Sequence, residues 1–250
     1  MTKAQHQPDM AVLGGGAWGT ALACVLAQKH GAVTLWANEA ETVSAINQTG
    51  ENKPFLPGIT LPEAVQATTN LADVASADII LMVVPAQFAR AVLTELAQHN
   101  QKAMLVLCAK GIERGSLKLM SDVAAEIWPR AQIAVLSGPS FAADVARGLP
   151  TAVTLAIKDD TKGEELAAHI GTAHFRPYLS DDIIGAEIGG AIKNVLAIAC
   201  GIVAGKKLGE SARAAVTARG FTEMSRLGDA LGAQNETLGG LSGLGDLILT

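Results

Sequence analysis

Cysteine is scarce: Cys24, Cys108 and Cys200 are the three among 250 residues, far apart and each in apolar surroundings. Such spacing supplies neither a disulfide framework nor a metal ligand set; it suits buried, reduced thiols and so the cytoplasm. No run of lysine or arginine occurs and the formal net charge is -5, which argues against a nucleic-acid partner, since phosphate backbones demand clustered cations. A small anion needs only two or three local cations, whatever the global sign. Charged residues make up 17% and hydrophobic ones 49%, the balance of a compact globular protein and not of a disordered one. The polar stretch Met1 to Asp9 lacks the apolar core of a signal peptide. Uninterrupted membrane-length apolar runs are missing too. The nearest, Ile183 to Ala204, is broken by Glu187, Lys193 and Asn194, so a helix buried on several sides is expected there, with no membrane partner. No internal repeat or low-complexity tract is present.

What is present is glycine, and its placement organises the chain. The apolar run Met10 to Leu13 breaks into Gly14-Gly15-Gly16-Ala17-Trp18-Gly19 and re-emerges as an alanine-rich helix ending at Gly31, before a second strand, Ala32 to Ala37. A strand, glycine turn and helix in that order let backbone approach a pyrophosphate and aim a helix N-terminus at it. Gly14 is expected to make the tight turn, Gly16 to leave room for the diphosphate, and Gly19 to let the helix pack on the strand. Asn38 and Glu39 fall where such folds read the adenosine ribose. An acidic group there favours NAD and no arginine is at hand for NADP, yet neutral Asn38 leaves NAD or NADP open.

Strand and helix then alternate. Strands are expected at Val65 to Thr69, Asp78 to Val84, Ala103 to Cys108, Ile133 to Ser137, Thr151 to Ile157 and Phe175 to Tyr178. Helices are expected at Glu41 to Gln48, Gln87 to His99, Ser116 to Ile127, Phe141 to Arg147 and Lys162 to Ile170. The run closed by Pro85 has the continuous apolar character of a central parallel strand covered on both faces. Beyond Ser180 the pattern is helical alone. The expected architecture is therefore α/β: a doubly wound, mostly parallel, Rossmann-like sheet over residues 1–180, followed by an all-helical C-terminal domain over 181–250.

Ligands in open α/β sheets lie beyond the carboxyl ends of strands, which directs attention to Pro85, Ala86 and Gln87 and to Lys110. Lys110 is either a crevice lysine or an ordinary solvated one at a turn. Ser140 either caps the helix from Phe141 and nothing more, or helps its amides meet an anion. Lys193 lies inside the most apolar helix. It either serves proton exchange, for which a lysine held from water beside another cation is suited, or packs its stem while its head reaches water. Asp246, at the head of an apolar turn after Gly239 to Gly245, either caps that turn or orients Lys193 and meets a substrate hydroxyl.

Five segments, Gly-x-Gly-Ala-Trp-Gly-Thr-Ala-Leu-Ala, Ala-Lys-Gly-Ile-Glu, Ser-Gly-Pro-Ser-Phe-Ala, Gly-Gly-Ala-Ile-Lys-Asn-Val and Gly-Leu-Gly-Asp-Leu, together resemble the bacterial NAD(P)-dependent glycerol-3-phosphate dehydrogenases, in family order. The resemblance implies reversible reduction of dihydroxyacetone phosphate to sn-glycerol 3-phosphate for glycerophospholipid synthesis. It makes Lys193 the catalytic lysine and Lys110 a contact of cofactor and substrate. It places Gly138, Ser140 and Ala142 along the site, Asp246 and Thr250 at the substrate, and Ala17, Trp18 and Asn38 at the cofactor. A homodimer formed through the helical region is a further expectation from the family. One departure is plain: the family continues past the position of Thr250 with a Ser-Arg-Asn segment that grips the substrate phosphate, and with more helices. Weak substrate affinity and uncovered apolar surface are expected of the 250-residue form. The rivals are a ketopantoate or 3-hydroxy-acid type reductase, which differs in the Lys110 and Asp246 segments, and a non-catalytic dinucleotide-binding module.

Overall fold

The computed structural model describes residues 7–99 and 102–249. Its centre is one sheet of eight strands: β1 Met10–Leu13, β2 Val33–Trp36, β3 Val65–Thr68, β4 Ile79–Met82, β5 Met104–Leu107, β6 Ile133–Ser137, β7 Thr151–Ala156 and β8 Phe175–Ser180. The spatial order is β3-β2-β1-β4-β5-β6-β7-β8. Pairing is parallel except where β6 meets β7. The chain thus starts in the middle, winds out to β3, and returns across β1 to build the other half. That reversal opens a crevice beyond the carboxyl ends of β1 and β4, where such folds take their ligands.

Both faces of the sheet are covered. Val12, Leu35 and Leu81 face one core with helix α1 (Ala17–His30), whereas Leu13, Ile80 and Leu105 face the other with α3 (Ala86–Leu96) and α4 (Met120–Ile127). β1 and β4 are buried at every residue, which is why their sequences carry no polar alternation. The remaining helices are α2 (Ala40–Thr49), α5 (Ala142–Ala146), α6 (Asp160–Ile170), α7 (Ile183–Gly205), α8 (Glu210–Leu231), α9 (Asn235–Gly239) and α10 (Asp246–Leu249). The last strand ends at Ser180; beyond it the described residues form helices and turns.

Three local expectations are corrected. α4 starts at Met120 and not at Ser116, because residues 113–118 close a turn in which the Glu113 amide donates to the Lys118 carbonyl and the Ser116 hydroxyl donates to Glu113. Ser140 does not cap α5: the N-cap is Phe141, and the Ser140 hydroxyl is turned back to donate to the Gly138 carbonyl at 3.1 Å. α7 is not buried along its length. Its first half is, but Val195, Ile198 and Ile202 are 63%, 66% and 55% exposed, since composition alone does not say which helix faces find neighbours.

Candidate active site

The glycine loop has the geometry that a dinucleotide pyrophosphate needs. Gly14 has φ +127°, and a Cβ there would lie 2.9 Å from the Val83 carbonyl carbon. A Cβ on Gly19 would fall 1.9 Å from the Gly14 oxygen, so the first turn of α1 rests directly on the loop. Gly16 is different: no protein atom lies within 4 Å of an added Cβ, so its bareness leaves an opening and serves no internal packing. As N-cap of α1 it brings no side chain to the helix amides, and the first turn holds no acidic residue. The positive end of a 14-residue helix is left to an external anion. The residues present therefore fit a bound NAD(P).

Asn52 was missed by sequence reasoning. Fully buried, it donates through Nδ2 to the Gly15 carbonyl at 2.8 Å and to Thr20 Oγ1 at 2.7 Å, tying the loop before β3 to the glycine turn. No local signal marks it, because the contact spans 37 residues.

A cavity of about 310 Å³ lies beyond the carboxyl ends of β4 and β5, lined by Trp18, Val83, Pro85, Ala86, Cys108, Ala109, Lys110 and Ser140. Trp18, Lys110 and Ser140, chosen from separate motifs, thus meet in one place. Gln87 does not join them: its side chain donates to the Ile112 carbonyl and accepts from the Arg114 amide. Asn38 is exposed beyond β2, and Ala142 packs partly buried against the core that contains α1. Thr250 lies outside the described residues.

Lys110, on the wall of that cavity, belongs to a cluster of three charged groups. Asp246 is fully buried, 0% exposed, at the start of α10, delivered by the wide turn Leu241–Gly245. One of its oxygens accepts from Lys193 Nζ and the other from Lys110 Nζ, each at 2.5 Å. Lys193 is 8% exposed, so its ammonium does not reach out to bulk water. Lys110 also donates to the Gly138 carbonyl at 3.3 Å. Burial is the main cause that lowers the pKa of Lys110; the Asp246 carboxylate opposes it and Lys193 adds to it. Among the described residues of this cluster, two ammoniums face one carboxylate, in keeping with an anionic ligand.

Two glycines bring α7 this close. A Cβ on Gly189 would sit 2.3 Å from the Ser242 carbonyl oxygen, and one on Gly190 3.0 Å from Ser137 Oγ and 3.3 Å from Lys110 Cγ. They explain the Gly-Gly ahead of Lys193, a role that spacing alone does not disclose.

A doubly wound sheet, a glycine loop open at a helix N-terminus and a lysine-carboxylate cluster that reaches the crevice through Lys110 define a dinucleotide-dependent oxidoreductase. Comparison with known proteins is specific. The family described as NAD-dependent glycerol-3-phosphate dehydrogenase N-terminus matches residues 9–163, and its C-terminus counterpart matches residues 182–250. The chain belongs to the NAD-dependent glycerol-3-phosphate dehydrogenase family. It is 60% identical over 242 residues to the glycerol-3-phosphate dehydrogenase [NAD(P)+] of Parvibaculum lavamentivorans, covering 96% of this chain and 73% of that protein. It is likewise 60% identical over 240 residues to that of Caulobacter vibrioides, covering 96% and 72%. Among solved structures, glycerol-3-phosphate dehydrogenase from Coxiella burnetii superposes with a TM-score of 0.93 at 42% identity, covering 97% of this chain and 75% of that one.

Proposed function

We propose that this crevice interconverts dihydroxyacetone phosphate and sn-glycerol 3-phosphate with NAD(P)H, and that Lys193 is the proton donor. The observation that carries the assignment is the Lys193, Asp246 and Lys110 cluster, whose Lys110 lines a crevice shared with Trp18 of the glycine-loop segment. A nicotinamide cofactor held at the glycine loop would supply the hydride. This chain's residues do the rest. Lys193 gives a proton to the C2 oxygen as negative charge develops there, so that carbonyl plus hydride plus proton balances to the alcohol. Asp246 fixes the Lys193 ammonium, which must point at one oxygen to act. Lys110, bridging Asp246 and the Gly138 carbonyl, contributes the second positive charge. Ser140, and Thr250 further on, contribute to the substrate side, and Gly14, Gly16, Ala17, Trp18, Gly19, Asn38 and Ala142 to the cofactor side.

Residues 1–180 act as the cofactor unit and 181–250 as the substrate unit, in a cytoplasmic homodimer. The pattern of the Lys110 and Asp246 segments, with the family match, favours this reading over a ketopantoate or 3-hydroxy-acid reductase. The test is Lys193→Ala, assayed by NAD(P)H oxidation with dihydroxyacetone phosphate and, separately, by NAD(P)H fluorescence titration. Turnover falls by about 10²-fold or more, as for loss of a positioned acid, while NAD(P)H affinity is retained. Wild-type kcat in that variant would sink the assignment.

A further inference from the structure

Lys193 must hold a fixed place relative to a cofactor bound by the sheet, yet it sits on a helix of the other region. One carboxyl grips the sheet side from that same helix. Glu187 of α7 is 6% exposed. It accepts from the Ser121 amide at 2.8 Å through one oxygen and from the Ser121 hydroxyl at 2.5 Å through the other. Ser121 lies in the first turn of α4, whose own N-cap, Leu119, supplies no side-chain hydrogen bond. Glu187 therefore caps α4 from a separate helix, at the end where helix amides lack partners and the dipole is positive.

Resting on the proton-donor reading of Lys193, we propose that Glu187 is a positioning residue for the reaction: by holding the N-terminus of α4 it sets the axial place and rotation of α7, and so where the Lys193 ammonium meets Asp246. Glu187 and Lys193 stand six residues apart on one helix, about 9 Å along its axis at the standard rise. Between them, Gly189 and Gly190 rest on Ser242 and on Ser137 and Lys110, while Ile188 is fully buried in a small apolar cluster with Leu119. Asp182, which caps α7 and also accepts from the Gln234 amide, ties the start of α7 to the helical region. Beside the apolar packing of Ala186 against the sheet-side core, the Glu187 hook adds a directional, hydrogen-bonded link to α4.

A carboxylate is not required for the grip. A carboxamide keeps an acceptor for the Ser121 amide and offers an NH2 to the Ser121 oxygen, so Glu187→Gln preserves the hook while Glu187→Ala removes it. The only other charge acting on Glu187 among its described influences is Asp122, the neighbour of Ser121.

The experiment measures kcat, KM and NADH affinity, the last by fluorescence titration, in Glu187→Ala, Glu187→Gln and Ser121→Ala, with Lys193→Ala alongside. Glu187→Ala loses at least about tenfold in kcat, since roughly an ångström of misplacement is enough for that, with NADH affinity within about twofold of wild type. Glu187→Gln recovers to within about threefold of wild type. Should Glu187→Ala fail to fold, Ser121→Ala, which keeps the amide bond and loses the hydroxyl one, shows the same split at smaller size. Wild-type kcat in both Glu187→Ala and Ser121→Ala overturns the proposal, as does a Glu187→Gln enzyme as slow as Glu187→Ala, or a loss of NADH affinity equal to the loss in kcat. Normal Glu187 variants beside an inactive Lys193→Ala would overturn the positioning role alone. Turnover surviving in Lys193→Ala would overturn the proton-donor reading and this proposal with it.

Discussion

Asp246 accepts from two ammonium groups with opposite oxygens while itself shut off from water. Asp246→Asn keeps the shape but removes the charge and turns an NH2 toward one of the lysines. Breaking a buried pair from one side costs on the order of 3–5 kcal/mol, so urea denaturation should show a loss near that size together with a collapse of kcat. A second residue-scale outcome concerns Glu187, whose carboxyl is pushed by burial up to about 7 from an ordinary value of 4.5. Because the folded state binds this proton more tightly than the unfolded chain does, its contribution is fully present below the ordinary carboxyl range and is lost as pH rises through about 7. Wild-type stability to urea should therefore fall between pH 5 and 8 by on the order of 1–3 kcal/mol on this account, and Glu187→Gln should flatten that slope. Neither Asn52 nor Glu187 could be read from sequence, because each acts on a partner far along the chain, Gly15 in one case and Ser121 in the other. Lys193 could, since an ammonium inside an apolar helix needs a reason.

At the scale of elements, the two glycines of the loop separate folding from binding. Gly19→Ala drives a Cβ into the Gly14 carbonyl, where backbone itself must move. Both melting temperature and NADH affinity should drop. Gly16→Ala meets no protein atom, so its melting temperature should stay near wild type while NADH affinity weakens by about tenfold, about 1.4 kcal/mol. Calorimetry and fluorescence titration on the same samples decide it; equal melting losses in both variants would contradict the loop geometry. The strands were legible for a simple reason: β1, β4 and β5 are short apolar runs bounded by glycine, proline or lysine, and central parallel strands have no other way to look. Helix starts were less so. A helix was expected from Ser116 and a cap at Ser140, yet each hydroxyl finds an acceptor in its own turn, Glu113 and the Gly138 carbonyl.

For the whole molecule, binding and stability are linked through the crevice. NADH at a hundredfold excess over its dissociation constant should stabilise the native state by about 2.7 kcal/mol, visible as a raised melting temperature. Gly16→Ala should show a smaller rise at the same concentration. The architecture was legible from the order of elements, strands alternating with helices and then helices alone, because each layer must cover the apolar face of the next. The exposure of Val195, Ile198 and Ile202 was not, since an apolar helix reads alike whether or not another surface lies on it.

The single acidic side chain shared by two amines has a consequence for biosynthesis. Asp246 leaves the ribosome long after Lys110 and Lys193, and without it those two cations would confront each other at the bottom of the cleft. A nascent chain can thus fold its nucleotide cradle early, yet its chemistry stays disarmed until the counter-charge arrives. Ribosome-stalled chains ending before or after that residue, each followed by a flexible linker long enough to clear the exit tunnel, should differ in whether the two amines come together.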